Sequence, residues 1–490
     1  MISPTVNELK KYKAGSIVPV YKDIMADLET PVSVYLKLVG NNQDAILLES
    51  VELGEQLGRY SFICLHPNQI LSSDGRKTTL NGSKKPLSDS DILSVIEPDL
   101  KQKRKHFQRS KNLPAFQGGY VGYLSYENVR HFESIKLNPK KKGLGIPESV
   151  LFWIDTFVIF DHIKKKIRLV KLVECGKNIN KEYNAAIKEF NLIELKLESK
   201  IKKSKVKKKK SSDKLKSNVT KQKFTQNVNK IKNYIKAGDC IQVVCSQRFD
   251  IGPIQDEFNV YRVLRSLNPS PYMFYFQHKN LKLVGSSPEL LVKKMGNKAE
   301  VRPIAGTRPR GKDSKEDKKL EHDLKRSTKE LAEHLMLVDL GRNDLGRVSK
   351  TKSVEIDNYA RVERYSHVMH LVTDVKSTLN SGYNDIDLLR ATFPAGTVSG
   401  APKIRAMEII DEVENEKRGP YAGAVGYFSL TGDMDMCIGI RTVVVKNKHA
   451  YVQAGAGIVY DSNPAKEYQE SINKAKALIH AVHLAEGEDI

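Results

Sequence analysis

Short apolar runs, many in period-two alternation and separated by Gly, Asn and Pro, dominate the first 195 or so residues: PVSVYLKLVG, AILLESVEL, GRYSFICL, GGYVGYLSYE, SVLFWIDTFVIFDH and KKIRLVKLVE. Strands paired antiparallel are predicted, since such strands alternate faces and short turns suffice to join them. A helical stretch, Lys181–Lys202, follows. From Phe224 to about Ala485 the texture changes to amphipathic helices, glycine-rich strings and strand pairs. Over 316–340, Leu320, Leu324, Leu331, Leu335 and Val338 recur at three- and four-residue spacing, which predicts one helix with Glu330 and Glu333 off its apolar stripe. Met336 and Leu337 extend apolar surface round to the glutamate side. A second helix begins at Asn463-Pro464, an N-cap followed by a first-turn proline, with a stripe of Tyr468, Ile472, Ala475, Ile479 and Val482. It carries Glu467 and Glu470. Between these helices, Ala422–Asp461 predicts a three-stranded meander turning at Thr431-Gly432-Asp433 and at Lys446–His449.

At 490 residues the chain exceeds what one hydrophobic core usually serves. The expected boundary is a lysine-rich linker over 198–221, with one unit at 1–197 and another at 222–490. Much of the net charge of +23 comes in runs: ten of the seventeen residues from Lys200 to Lys216 are lysine, with smaller basic clumps at Lys101–Lys111 and Lys136–Lys142. Lysine without interleaved aromatics or arginine offers neither a stacking platform nor a bidentate base reader, which argues against a nucleic-acid partner. Five scattered cysteines without CxxC spacing argue against a disulfide framework or a zinc site. No apolar h-region opens the chain and no apolar run approaches the roughly 18–20 residues of a membrane span, so a cytoplasmic protein without membrane attachment is expected. Neither GxxxxGK[ST] nor a complete GxGxxG occurs, so nucleotide binding lacks its phosphate cradle.

Four carboxylates from two helices would repel one another on meeting unless a dication lay between them. Oxygen donors without a His/Cys cluster suit Mg²⁺ better than zinc or iron. The plainer alternatives are a solvated helix face for Glu330 and Glu333 and an i,i+4 ion pair of Glu470 with Lys474. Pro394–Lys403, PAGTVSGAPK, leads into a helix that Ser399 or Gly400 can cap, and free amides at such an end favour an anion. Gly455 and Gly457 share one strand face and leave it bare, while Arg441, whose planar fork suits a carboxylate, points away from the row of Ile438 and Ile440.

Ten strings in order carry a resemblance: GDCIQVVCSQRF, NPSPYMF, GSSPELLV, RPIAGTRPRG, ELAEHLMLVDLGRNDLGRV, YSHVMHLV, PAGTVSGAPKIRAME, GPYAGAVGYF, CIGIRT and QAGAGIVYDS. Together they resemble the chorismate-utilising enzymes, and within them the large, aminase subunits (component I) of anthranilate synthases. The resemblance implies an α+β fold of the α/β/β/α sandwich type, with large antiparallel sheets flanked by helices and an interleaved N-terminal regulatory portion. It implies a lyase that converts chorismate and ammonia to anthranilate and pyruvate, in tryptophan biosynthesis, with Mg²⁺ as cofactor. Glu330, Glu333, Glu467 and Glu470 match the metal carboxylates. Glu289 matches the acid that protonates the leaving hydroxyl, and His370 the group that removes the C2 proton, with His367 one turn earlier as its decoy. Tyr421 and Arg441 match the grip on the enolpyruvyl end. Gly306, Thr307, Thr397, Gly455, Ala456 and Gly457 match other substrate contacts, with Lys474 a further carboxylate partner.

Two positions separate relatives. Gln242 stands among the catalytic set where isochorismate and salicylate synthases carry a water-activating lysine, and glutamine is a poor base. Ala305 stands where aminodeoxychorismate synthases, the alternative reading, commonly carry a nucleophilic lysine. No glutaminase-type nucleophile motif is present, so the implied partner is a glutamine amidotransferase subunit supplying ammonia, in a hetero-oligomer of two large and two small subunits. Glu49 and Ser50, with Pro271, Tyr272 and Met273, resemble a feedback site for tryptophan. The lysine tract lies outside the family pattern.

Overall fold

The computed structural model describes residues 2–40, 43–50, 58–83, 85–88, 91–201, 216–365 and 368–487. His367 and most of the lysine tract therefore lie outside the described residues. Two antiparallel sheets, of thirteen and eleven strands, account for the strands that are described. They pack face to face through aromatic and β-branched side chains: Phe157, Phe274, Phe276 and Val444 from the larger sheet meet Val121, Tyr123, Phe152 and Tyr427 from the smaller. Phe152 stacks on Phe276 with ring centroids 4.9 Å apart.

Helices cover both outer faces. Pro31–Leu38, Ile179–Leu197, Glu257–Leu267 and Pro464–Ala485 bury their apolar faces on the larger sheet. Ile92–His106, Thr328–Gly346 and Asp385–Thr392 do so on the smaller one, whereas Lys403–Val413 packs on the end of the larger sheet against Gln242–Pro253. This is the helix–sheet–sheet–helix sandwich that the resemblance implies. Each sheet draws strands from both sides of the lysine tract. In the larger, Ala45–Glu49 pairs with Tyr272–His278, and in the smaller Gly119–Leu124 pairs with Ala424–Ser429.

Four local expectations are corrected. PVSVYLKLVG is a helix over Pro31–Leu38, because Thr30 and Ser33 form a capping box and Pro31, Val34, Tyr35 and Leu38 bury one face at helical spacing. The stretch 316–340 is two helices, Ser314–Arg326 and Thr328–Gly346. The break falls at Ser327, whose hydroxyl accepts the Glu330 N–H at 3.4 Å and starts the second helix afresh. That rotates the buried face to His334, Leu337, Val338 and Leu345 and leaves Leu335 47% exposed.

The three-stranded meander is instead two hairpins in different sheets. Ala424–Ser429 and Met434–Ile438 pair in the smaller sheet, Thr442–Lys446 and His449–Ile458 in the larger, and both expected turns stand. The chain crosses between sheets at Gly439–Arg441, with Arg441 at φ 49°, so Arg441 does not lie on a strand beside Ile438. Finally, neither Ser399 nor Gly400 caps the helix at Lys403–Val413. Pro402 occupies the N-cap, and the Ser399 hydroxyl donates to the Ala395 carbonyl oxygen at 2.9 Å.

Candidate active site

The helices Thr328–Gly346 and Pro464–Ala485 lie on different sheets yet bring their first turns toward one another. Asn463 caps the second by accepting the Ala465 and Lys466 N–H groups, and so presents Glu467 and Glu470. Burial raises the pKa of Glu333, and the neighbouring Glu330 and the distant-in-sequence Glu470 push the same way. Glu467 is also raised, first by burial and further by Glu470, against a lowering contribution from Ser462. Lys329 and Lys474 pull both back down, which places the carboxylates of both helices within electrostatic reach of the same two lysines.

The glutamates have protein partners in this structure. Arg308 reaches Glu330 at 3.1 Å and Asp323 at 2.6 Å, while Lys474 Nζ meets Glu470 at 2.8 Å, the i,i+4 pair expected as the plainer reading. Among the described residues no three His, Cys, Asp or Glu side chains form a ready ligand cluster. As a donor set the four glutamates still suit a hard dication, being oxygen ligands of which two are held above their ordinary pKa by burial and by other carboxylates.

Lys474 links these acids to the remaining groups. Its Nζ donates to the Gly455 carbonyl oxygen at 3.2 Å, and its backbone carbonyl accepts from Arg441. It also acts on Glu289, in the turn between Leu281–Ser287 and Leu290–Met295. Glu289 is 7% exposed, and burial pushes its carboxyl up to about 8, against the smaller lowering effects of Thr397, the Ile304 amide and Lys474. A carboxyl so placed carries its proton at neutral pH and can give it to a leaving oxygen.

His370 lies directly opposite Thr307 in the pairing of Ile304–Pro309 with Val368–Thr378, where a bulge separates Ala305 from Thr307. Its Nδ1 donates to the Gly306 carbonyl oxygen at 2.9 Å and lies 3.1 Å from the Thr307 hydroxyl, which leaves the Nε2 lone pair free. Burial lowers its pKa, and Arg441 and Lys474 add to that against the Gly306 bond, so the ring is neutral and basic near pH 7. Gly306 adopts φ +65°, and a Cβ there would come within 3.2 Å of Glu330 Oε2. The PIAGT string thus touches the histidine and the first glutamate pair together.

The glycine-rich strand is less bare than its sequence suggests. A Cβ on Gly455 would stand 2.9 Å from the Tyr421 hydroxyl, and one on Gly457 2.5 Å from Gln242 Nε2. Both glycines make room for neighbouring side chains, while Ala456 between them is fully buried on the other face. Tyr421 is 8% exposed, and burial pushes its hydroxyl up to about 12. Burial lowers the pKa of Arg441. Of the eight buried polar side-chain atoms without a hydrogen-bond partner among the described residues, two lie here, Gln242 Oε1 and Thr397 Oγ1, the latter close enough to Glu289 to lower its pKa. Buried groups of this kind usually find a partner, and a polar ligand is one that would satisfy these two.

The other residue group sits farther along the larger sheet. Glu49, 4% exposed, accepts from Arg265 Nε at 2.9 Å and Nη2 at 3.1 Å and from the Tyr261 hydroxyl. Met273 pairs with it across the strands, and Ser50 follows, half-buried. Tyr272 points into the space between the sheets and donates to Asp435 at 3.0 Å, and Pro271 precedes it half-buried. Strand alternation therefore divides Met273 from Tyr272. Sequence reading missed Arg308, Arg265 and a buried pair of Glu414 with Arg418. The R in RPRG next to Thr307 was a visible signal for Arg308, whereas the others show no signal without the fold.

Comparison with known proteins shows the family and the fold. The profile of a chorismate binding enzyme matches residues 43–480. Anthranilate synthase component 1 of Aquifex aeolicus is 47% identical over 98% of both chains. The crystal structure of anthranilate synthase component I from Streptococcus pneumoniae superposes with a TM-score of 0.76 at 36% identity, covering 93% of this chain and 99% of that one. The menaquinone-specific isochorismate synthase of Escherichia coli, 20% identical, shares the fold over 97% of each chain with a TM-score of 0.73.

Proposed function

Because this chain belongs to the chorismate binding enzyme family, and its full-length relatives are named anthranilate synthase component 1, we propose that it performs the reaction the sequence resemblance implies: chorismate and ammonia to anthranilate, pyruvate and water. The observation that carries this reading is that Glu289 and His370, an acid that keeps its proton and a base that lacks one, share Lys474 as a neighbouring charge, with Arg441 beside His370 and bonded to the Lys474 carbonyl oxygen. Gln242 and Ala305 supply no lysine for water activation or covalent capture, so direct addition of ammonia at C2 is favoured over the isochorismate and aminodeoxychorismate reactions.

The chain's own groups divide the work. Arg441 and Tyr421 grip the enolpyruvyl end, the orphaned Gln242 Oε1 accepts from the substrate hydroxyl, the Thr397 hydroxyl donates to a substrate oxygen, and the backbone about Gly306 and Gly455–Gly457 allows close approach. Glu289 gives its proton to the C4 hydroxyl as that group leaves as water and ammonia bonds to C2. His370 then takes the C2 proton through Nε2 as the C3–O bond breaks and the ring becomes aromatic, and the departing enolpyruvate takes up a proton at its methylene carbon to become pyruvate. Magnesium, held by Glu330, Glu333, Glu467 and Glu470 in competition with Arg308 and Lys474, would supply Lewis-acid charge stabilisation for the substrate's ring carboxylate.

Ammonia is delivered by a glutamine amidotransferase subunit, consistent with the component 1 name of the relatives, in an assembly of two subunits of each kind. Tryptophan binds about Glu49, Ser50, Pro271, Tyr272 and Met273 and shifts the chain to a form with lower chorismate affinity. No helix among the described residues is long and apolar enough to cross a membrane, and the cytoplasm is the proposed location. The test is formation of anthranilate from chorismate with an ammonium salt and Mg²⁺, its fluorescence followed with and without tryptophan. A product other than anthranilate would refute the assignment, and a rate indifferent to tryptophan would remove the effector site.

A further inference from the structure

The strand Gln242–Pro253, the turn Gly396–Val398 and the segment after the Lys403–Val413 helix each carry a candidate substrate contact: Gln242, Thr397 and Tyr421. One side chain ties all three together. Arg418, 3% exposed, donates through Nη1 to the Val398 carbonyl oxygen at 2.7 Å and through Nη2 to that of Val244 at 2.8 Å. Val398 is the neighbour of Thr397. Val244 pairs across the strands with Gly457, against which Gln242 packs. The same guanidinium lies 5.5 Å from the Tyr421 ring centroid.

Its remaining hydrogen bonds go to Glu414, from Nε at 2.8 Å and Nη2 at 2.6 Å. Glu414 is 8% exposed and also accepts the Ser246 N–H and hydroxyl, each at 2.8 Å. The Ser246 hydroxyl in turn accepts from Gln453 Nε2 at 2.9 Å. The Arg418 backbone is fixed as well, since its N–H donates to the buried Glu127 at 2.7 Å. A buried ion pair costs desolvation and often stabilises no better than packed apolar residues, so stability alone is a poor reason for this arrangement. A planar fork is suited to holding several carbonyl oxygens at fixed spacing, which a lysine cannot reproduce.

Resting on the reading of the pocket as a chorismate site, we propose that Arg418, clamped by Glu414, is a positioning residue that sets the mutual placement of Thr397, Gln242 and Tyr421 for substrate. It touches no reacting atom and acts through those three. Its loss therefore falls on substrate binding more than on the chemical steps.

The test compares the full chain with Arg418→Lys and Glu414→Gln by calorimetric titration of chorismate, by steady-state kinetics and by melting temperature. The Arg418→Lys protein, folded, is expected to bind chorismate about tenfold more weakly and to raise KM to match, with kcat within about threefold of the parent. Glu414→Gln, which keeps the side chain's shape, is expected to fall between them. Either variant carries the test should the other fail to fold. A lower melting temperature with unchanged KM and chorismate affinity would make the pair purely structural and overturn the proposal. Absence of chorismate binding by the parent would overturn the pocket and the clamp together, whereas parental binding with an unaffected variant overturns the clamp alone.

Discussion

His370 Nδ1 donates to the carbonyl oxygen of Gly306 at 2.9 Å, so one backbone group fixes both the tautomer and the direction of the imidazole. Nε2 is then the basic atom. His370→Gln is expected to lower kcat by about 10²–10⁴, the usual worth of a positioned acid or base, while leaving the melting temperature near that of the parent. Stopped-assay analysis for anthranilate checks this; undiminished turnover would remove His370 from the mechanism.

The two titrating groups set opposite limbs of the pH profile. Glu289 must be protonated to act, and its raised value of about 8 means that activity present at neutral pH is lost as pH rises through that value. His370 must be neutral, and its lowered pKa means that activity survives acidification to below the ordinary histidine range before it is lost. Measured as kcat/KM for chorismate against free ammonia, the alkaline limb should vanish in Glu289→Gln, along with most of the rate. An alkaline limb that persists unchanged in that variant would assign it to another group.

Glu333 and Glu467 are raised by burial and by other carboxylates, so a bound dication relieves them. Magnesium at about 100 times its Kd is expected to stabilise the folded chain by about 2.7 kcal/mol, and Glu333→Gln or Glu470→Gln to reduce that shift sharply. Thermal melting in Mg²⁺ and in chelator reads the effect without any turnover. Equal shifts in parent and variants would place the cation elsewhere.

Gly455 has no room for a methyl group: its Cβ would meet the Cys245 carbonyl oxygen at 2.7 Å and the Tyr421 hydroxyl at 2.9 Å. Gly455→Ala should cost about 1–3 kcal/mol in urea unfolding, the usual penalty of overpacking, and raise KM for chorismate by displacing Tyr421. Unchanged stability and KM would show the strand to be more yielding than this packing implies.

How much of this was legible beforehand follows physical lines. Period-two runs such as SVLFWIDTFVIFDH gave the sheets, and Asn463-Pro464 gave the start of the last helix, because those signals are local. PVSVYLKLVG misled because its apolar residues satisfy both periods, and only the Thr30–Ser33 capping box decides between them. The break at Ser327 was missed because the stripe of leucines continues through it. Assignment of Ala424–Ser429 and Thr442–Lys446 to different sheets depends on long-range pairing, which hairpin spacing does not encode. The acids and His370 stand in strings that carry the resemblance, whereas the pairing of Arg418 with Val244 and Val398 joins segments as far as 174 residues apart.

The central claim is that this constellation turns chorismate and ammonia into anthranilate. Purified chain given chorismate, an ammonium salt and Mg²⁺ at about pH 8, with fluorescence recorded before and after chelation, tests it most directly. A rising anthranilate signal that stops on chelation, matched by an equal amount of pyruvate, is the expected result. Chorismate consumed without anthranilate, or left untouched while Mg²⁺ is present, would contradict it.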